Sequence, residues 1–379
     1  MSLLLTEEQQ LLKESASAYV KGNFDFEALR ARRLFSASPH LDREAWREMA
    51  ELGWTAIPFE ETWGGLGLGF AELGIVMEEL GRGLVQSPLL STVVLYGGII
   101  DLAGSEEQKR LTLPEIIAGN RLGSFAYLES PRHEPFFVKT KLSMHGGRYV
   151  LTGRKQLVLD GGSANEFVVL AREHGEFGDK DGLCLVLVPA DAKGIVIENQ
   201  LLIDGRSVAT VHFNEVVVAE SSLLTEAGPA ASVIDQVFNR ASTALSSEML
   251  GSIQSLFEMT MEYLKVREQF GAKIGSFQGL KHRAARWFCE VELSKAIVLK
   301  TLRAIDENSQ ETRQIVSACK ARLSDTAQLS GREGIQMHGG IGVTDEHDAG
   351  LFMKHGRVAE MLFGDSHFHQ LRFASARGY

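Results

Sequence analysis

Within "FGDSHFH", residues 363 to 369, the chain gathers Asp365, Ser366, His367 and His369. These are the residue types of hydrolytic nucleophile systems and of metal sites. A hydrolase serine needs a strand-turn-helix setting, and the flanking residues show none. His367 and His369 stand two apart, so on a helix they point away from each other and cannot share a metal. The economical local reading is a helix start, with Asp365 or Ser366 as N-cap and residues 367–373 helical. No metal is expected.

Two other stretches carry chemistry through their spacing. In "VREQFGAKIGSFQ", residues 266 to 278, Arg267 offers a planar, permanently charged fork that suits a pyrophosphate. Phe270 offers a flat apolar face, Gly271 a helix break, and Gln278 an amide that donates and accepts. In "QMHGGIGV", the amide of Gln336 precedes Gly339 and Gly340, and paired glycines let a backbone approach a ligand closely. Each stretch also reads as an ordinary turn between helices. "GGLGLGF", residues 64 to 70, has G-x-G spacing without a preceding strand or a βαβ unit. It is expected to be a turn leading into a helix at Ala71, not a dinucleotide fingerprint.

The elements that must position these residues change character twice along the chain. Residues 1–120 look helical, with capping boxes at Thr6 to Gln9 and Ser105 to Gln108. Pro114 reads as lying just inside a helix start and Gly119 as a helix stop. Residues 121–225 alternate with period two in "KLSMHGGRYVLTG", "FVVLAR", "LCLVLVPA" and "ATVHFNEVVV". Parallel strands need long crossovers and none of the gaps between these runs reads as a helix, so the sheet should be mostly antiparallel. Residues 226–379 return to helical spacing, with Leu245, Met249, Ile253, Leu256, Phe257 and Leu264 on one stripe. Three domains with these bounds, helical, β and helical, make an α+β multi-domain chain.

Composition narrows the partners. The chain has 379 residues, 44% of them hydrophobic, enough for two or three domain cores. A formal net charge of −10 argues against a nucleic-acid partner, which needs a basic face. No apolar stretch approaches the roughly 20 residues that span a membrane. "MSLLLTEEQQLLKES" shows no basic region before a long apolar run, so a cytoplasmic protein without a signal peptide is expected. Cys184, Cys289 and Cys319 lie far apart, and free thiols are expected.

Taken in this order and layout, these stretches resemble the acyl-CoA dehydrogenase family. "GWTAIPFEETWGGLGLGFAELGIVMEELGR" and "GSEEQKRLTLPEIIAG" are similar to its N-terminal segments, and the resemblance spans essentially the whole chain. It implies an N-terminal all-α domain, a middle antiparallel β-barrel or sandwich, and a C-terminal four-helix bundle. It implies FAD as cofactor and α,β-desaturation of an acyl-CoA thioester, as in fatty-acid or steroid side-chain β-oxidation. It also implies a homotetramer or an α2β2 heterotetramer, with an electron-transferring flavoprotein as a possible acceptor.

Residue by residue, the resemblance implies two half-sites. The half that a subunit lends to its neighbour's flavin is kept. Arg267 matches the pyrophosphate arginine, with Gln269 and Phe270 beside it and Gln278 in a Phe-Gln turn. Gln336, Gly339 and Gly340 match the loop near the adenosine diphosphate part. The half that serves a subunit's own flavin involves Tyr127, Glu129, Leu157, Leu159 and Ser366, and it departs from the family pattern. Where the family has Thr-Glu-Pro-x-x-Gly-Ser-Asp, this chain reads "LESPRHEPF" after Tyr127. Glu129 remains, but His133, Glu134 and Pro135 replace the Gly-Ser-Asp end, and proline removes a backbone donor. Where the family has Trp-Ile-Thr-Asn-Gly, this chain has Leu157 to Gly161, and Leu159 brings no hydroxyl.

The usual base positions fall on Gly364 and Ala241, neither of which can take a proton from carbon. Asp365, one residue along, is the expected substitute. Glu248 is the second candidate, about 10 Å along a helix from Ala241. Three readings follow. One is an active dehydrogenase with a displaced base. Another is a non-catalytic or half-site subunit of a heterotetramer, lending Arg267 and Phe270 to its partner's FAD. The third is a flavin monooxygenase or oxidase on the same fold.

Overall fold

Thr6 opens the first helix by a reciprocal pair. Its hydroxyl accepts the Gln9 backbone N–H at 3.2 Å, and the Gln9 side-chain Oε1 accepts the Thr6 N–H at 3.1 Å, so two otherwise orphaned donors are satisfied. Ser105 and Gln108 repeat the device. The computed structural model describes residues 5–35, 41–224 and 229–379. The expected boundary between residues 225 and 226 lies outside the described residues.

The N-terminal helices are α1 (Glu7–Asn23), α2 (Phe26–Phe35), α3 (Arg43–Glu51), α4 (Phe70–Arg82), α5 (Gly98–Ala103) and α6 (Glu106–Ile117), with a π-helical stretch at Leu89–Gly97. Then come β1 (Gly123–Ala126), β2 (Lys141–His145), β3 (Arg148–Leu159), β4 (Glu166–Arg172), β5 (Leu183–Pro189), β6 (Ile195–Leu201), β7 (Ser207–Val218) and β8 (Leu223–Leu224). The C-terminal part holds α7 (Ala230–Val266), a hairpin of β9 (Glu268–Gln269) and β10 (Ala272–Lys273), α8 (Gln278–Asp306), α9 (Thr312–His338), α10 (Ala349–Met361) and α11 (Ser366–Ala376). The architecture is thus N-terminal helices, a central sheet and C-terminal helices.

Pro114 is not at a helix start. It lies inside α6, which begins at Glu106. The capping box at Ser105 sets the start, and a proline this close to the helix end forfeits only one hydrogen bond. The turn at residues 64–69 has a single 3-10 turn before it, Glu61–Trp63, and no strand. The helix after it begins at Phe70 rather than Ala71.

The chain divides into two compact units: residues 1–31, 70–86 and 242–379, and residues 32–69 and 87–241. In the first, α4 and α7 cross backbone to backbone. A Cβ on Gly81 would lie 1.9 Å from the Glu248 carbonyl oxygen, and one on Gly251 would lie 1.8 Å from that of Glu78. Only glycine permits that approach. α9 packs against α8 through Trp287, whose indole donates to Ser330 Oγ at 2.8 Å.

In the second unit the strand order is β6-β7-β3-β2-β4-β5-β8, with β1 parallel to β4. The remaining pairs are antiparallel apart from one parallel β2–β4 pair. Phe167, Val169 and Ala171 on β4 share a buried core with Val186 and Val188 on β5 and Ala209, Val211 and Phe213 on β7. Those alternate positions produced the period-two signal. Among the described residues, no helix is long and apolar enough to cross a membrane.

Candidate functional site

α7 ends at Val266, and the chain then makes a hairpin of minimal length. Gln269 pairs with Ala272 and Glu268 with Lys273, which leaves Phe270 and Gly271 as the two turn residues, at φ 53° and 76°. A two-residue hairpin needs left-handed backbone at both positions, which suits Asn-Gly and strains a bulky residue. Phe270 is also 94% exposed. A strained backbone and a phenyl ring in water are two costs, and Phe277 meets the ring only edge-on, with centroids 6.3 Å apart. Arg267, Gln269 and Gln278 are exposed on the same segment.

Gln336, Gly339 and Gly340 sit at the end of α9, all exposed. Gly339 has φ 68°, and a Cβ on either glycine would meet no atom within 4 Å. Tyr263, on the last turn of α7, ties this loop to the hairpin. Its ring lies 4.6 Å from that of His338, and its hydroxyl donates to the His338 carbonyl at 3.4 Å. His338 in turn faces His347 at 4.2 Å. Burial lowers the pKa of both imidazoles below the usual value. Sequence reading did not single out Tyr263 or His338, although His338 stands inside the glycine motif.

The residues expected beside a subunit's own flavin each have contacts within the chain. Tyr127 is buried, stacked on Phe125 at 5.1 Å, with Phe238 edge-on at 4.8 Å and His133 at 5.9 Å. Burial raises its phenol far above the usual range. Glu129 accepts the N–H groups of Lys139 and Thr140 at 2.8 and 2.9 Å, and Lys155 Nζ at 2.7 Å. Burial alone would raise the Glu129 carboxyl, but Lys155 and the backbone donors outweigh it and lower its pKa. Lys155 is wholly buried, and burial brings it down to about 8 against the pull of Glu129. Its signal in the sequence is a lone lysine four residues after the buried Leu151 on one strand face. Leu157 has φ 51° at a slip in the β3–β7 register. Leu159 is buried, and its carbonyl accepts Ser124 Oγ at 2.8 Å.

The turn before α11 answers the opening motif. Asp365 is the N-cap: its carboxylate accepts the Phe368 N–H at 2.8 Å. Ser366 is buried, and its hydroxyl accepts Gln370 Nε2 at 3.0 Å. His367 is exposed while His369 is buried, with Nε2 3.1 Å from the Phe363 carbonyl. No group of three metal ligands exists among the described residues. Gly364 has φ 102°, and a Cβ there would lie 2.3 Å from the Phe368 ring. Lys320, wholly buried on α9, donates to the carbonyls of Glu360 and Gly364 at 2.9 and 3.0 Å. Burial brings Lys320 down to about 7, against the pull of Glu360 and Asp365. Glu248, the second candidate base, is buried 3.5 Å from His355 Nε2. Ala241 is fully buried.

The two halves fit a flavin dinucleotide differently. The C-terminal half presents an unhindered guanidinium, a bare aromatic face and open glycine backbone. The half on the sheet presents a sealed tyrosine, a carboxylate engaged with Lys155, and two leucines.

Comparison with known proteins gives a consistent picture. Residues 6–120 match the family described as "Acyl-CoA dehydrogenase, N-terminal domain", and residues 231–377 match "Acyl-CoA dehydrogenase, C-terminal domain". The chain is 25% identical over 386 residues to a probable acyl-CoA dehydrogenase, YngJ, of Bacillus subtilis (strain 168), covering 99% of each. Its fold matches butyryl-CoA dehydrogenase from Megasphaera elsdenii with a TM-score of 0.91 at 22% identity, covering 100% of both chains. It matches a chain of the ChsE4-ChsE5 complex from Mycobacterium tuberculosis with a TM-score of 0.88 at 23% identity, covering 100% of this chain and 99% of that one.

Proposed function

The chain belongs to the acyl-CoA dehydrogenase family, and on that premise we propose how its residues divide the family's chemistry. Its function is of the acyl-CoA dehydrogenase type, an FAD-dependent oxidation of a CH–CH bond in an acyl-CoA thioester. In our reading the flavin is shared between subunits of a tetramer that works in the cytoplasm. Arg267 and Gln269 take the pyrophosphate of a neighbour's flavin. Phe270 covers its ring system, and Gln278, Gln336, Gly339 and Gly340 receive the remainder. When bound, the flavin accepts the hydride that leaves the β-carbon.

The observation that carries this reading is Phe270, 94% exposed at a left-handed turn position. A flat ligand and a second chain laid over it remove the ring from water and compensate the strain. We assign the α-proton to Asp365. Its Oδ1 holds the Phe368 N–H, and its Oδ2 accepts no hydrogen bond among the described residues. Lys320 braces the same turn. Excluding water from this region strengthens every electrostatic contact within it.

A second reading is favoured by the Phe368 ring, which closes the position where the family carries its glutamate. In that reading a related partner subunit holds the FAD and the base, and this chain supplies the Arg267–Phe270 half. The similar Mycobacterium tuberculosis structure is itself a complex of two named chains. No observation favours a monooxygenase or oxidase. An electron-transferring flavoprotein remains our expected acceptor.

The test begins with the chain purified alone. About one flavin per chain and anaerobic bleaching by an acyl-CoA panel support the first reading. A colourless chain that gains flavin only with a related subunit supports the second. Asp365→Asn then tests the base. Because Asn caps a helix about as well as Asp, stability should hold while bleaching slows at least about 100-fold. Unchanged bleaching removes Asp365 as the base.

A further inference from the structure

The turn that leads into Asp365 is held by side chains from outside it. Between α10 and α11, Phe363 and Gly364 take left-handed backbone in succession, at φ 59° and 102°. For a bulky residue such as Phe363 that conformation is costly, and it persists only where the surrounding structure over-determines it. Two buried side chains do so here. Lys320, on α9, donates from Nζ to the carbonyls of Glu360 and Gly364 at 2.9 and 3.0 Å and to Ser324 Oγ at 3.4 Å. His369, on α11 and 1% exposed, reaches back from Nε2 to the Phe363 carbonyl at 3.1 Å. A carbonyl oxygen only accepts, so Nε2 carries the proton.

The helices on either side are fastened separately. The Glu360 carboxylate, in the last turn of α10, accepts Gln328 Nε2 at 2.5 Å and Arg357 Nη1 at 2.7 Å. Arg372 Nη1 donates to Ser317 Oγ at 3.1 Å and so ties α11 to α9. These contacts dock helices without touching the turn. Lys320 and His369 instead grip the backbone that aims Asp365. That carboxylate is fixed on its other side by the bond from Oδ1 to the Phe368 N–H.

Taking a proton from carbon demands close geometry, and a misplacement of about 1 Å can cost about 100-fold in rate. We propose that His369 and Lys320 are positioning residues for Asp365, holding the left-handed turn so that its Oδ2 is presented in one orientation. This rests on the assignment of Asp365 as the base. In the motif that gathers Asp365, Ser366, His367 and His369, the buried histidine then neither attacks nor binds metal; it sets the backbone under the acid.

Anaerobic bleaching of the flavin-loaded protein by an acyl-CoA, expressed per bound flavin, tests it. His369→Leu, which removes the donor, should slow bleaching at saturation about tenfold and leave the half-saturating concentration unchanged. His369→Gln keeps an N–H at similar reach and should restore most of the rate. His369→Asn, whose amide stops short of the carbonyl, should be as slow as His369→Leu and replaces it if that variant does not fold. Arg372→Met should lower the thermal midpoint and leave the rate per flavin at the parent value. In an Asp365→Asn chain, His369→Leu should cost nothing further, because the two act as a unit.

Parent rates in His369→Leu or His369→Asn overturn the proposal. So does an Arg372→Met chain slowed to the same extent, or a double variant in which the two losses multiply. A slow Asp365→Asn beside a parent-rate His369→Leu keeps the base and removes its positioning. Asp365→Asn at the parent rate removes both, as does a parent that takes up no flavin or that no acyl-CoA bleaches.

Discussion

The ring of Phe368 occupies the space that any side chain on Gly364 would need, with Cδ1 2.3 Å from an ideal Cβ there. The turn is closed by packing as well as by its left-handed φ of 102°. Gly364→Glu should therefore restore no activity by itself and should cost about 1–3 kcal/mol. Gly364→Ala should cost a similar amount. Adding Phe368→Ala should recover the steric part of that loss and leave the backbone strain. Urea midpoints of the three variants check this. A Gly364→Ala chain as stable as the parent would show that the ring yields freely.

Phe270 predicts a trade of function for stability. Asn tolerates the left-handed conformation that strains Phe. Phe270→Asn should raise the stability of the isolated chain by about 1 kcal/mol. It should also weaken flavin retention and subunit association. Thermal melts, flavin absorbance and light scattering read the three effects, and a variant less stable than the parent would contradict the strain argument.

Lys320 makes stability depend on alkaline pH. Burial holds its folded pKa at about 7, below the usual lysine value of 10.5. Between those values the unfolded chain binds more protons than the folded one, so this residue's contribution grows as pH rises from about 7 to 10.5. It is lost as pH falls through about 7. Denaturant midpoints of Lys320→Met, with no proton to release, should lack that rise. Parallel curves for parent and variant would refute it.

Glu129 and Lys155 form a buried pair, so removing one partner should cost more than removing both. Glu129→Ala strands the ammonium and should destabilise by about 3–5 kcal/mol. The double variant Glu129→Leu, Lys155→Met should regain most of that. Equal flavin content per folded chain in parent and double variant would mark Glu129 as structural rather than a cofactor contact.

Much of the fold was legible because its signals are local. Capping boxes at Thr6 and Ser105, alternation along β4, β5 and β7, and the stripe from Leu245 to Leu264 each reflect one element meeting one core. Pro114 misled because a capping signal nine residues upstream outranked it. The grouping of Arg267 with Phe270 was legible for the same reason, since a two-residue hairpin keeps neighbours together.

The sequence by itself determined the family layout and placed Arg267 and Phe270 together in the turn between two long helices. Each depends on residue identity at fixed spacing. Only the tertiary structure decided which buried charges are partnered, and by what. The pairing of Glu129 with Lys155 and the brace from Lys320 to Gly364 join residues distant along the chain. A buried charge can be kept only where folding brings it partners. Those partners come from separate elements, so no local pattern announces them.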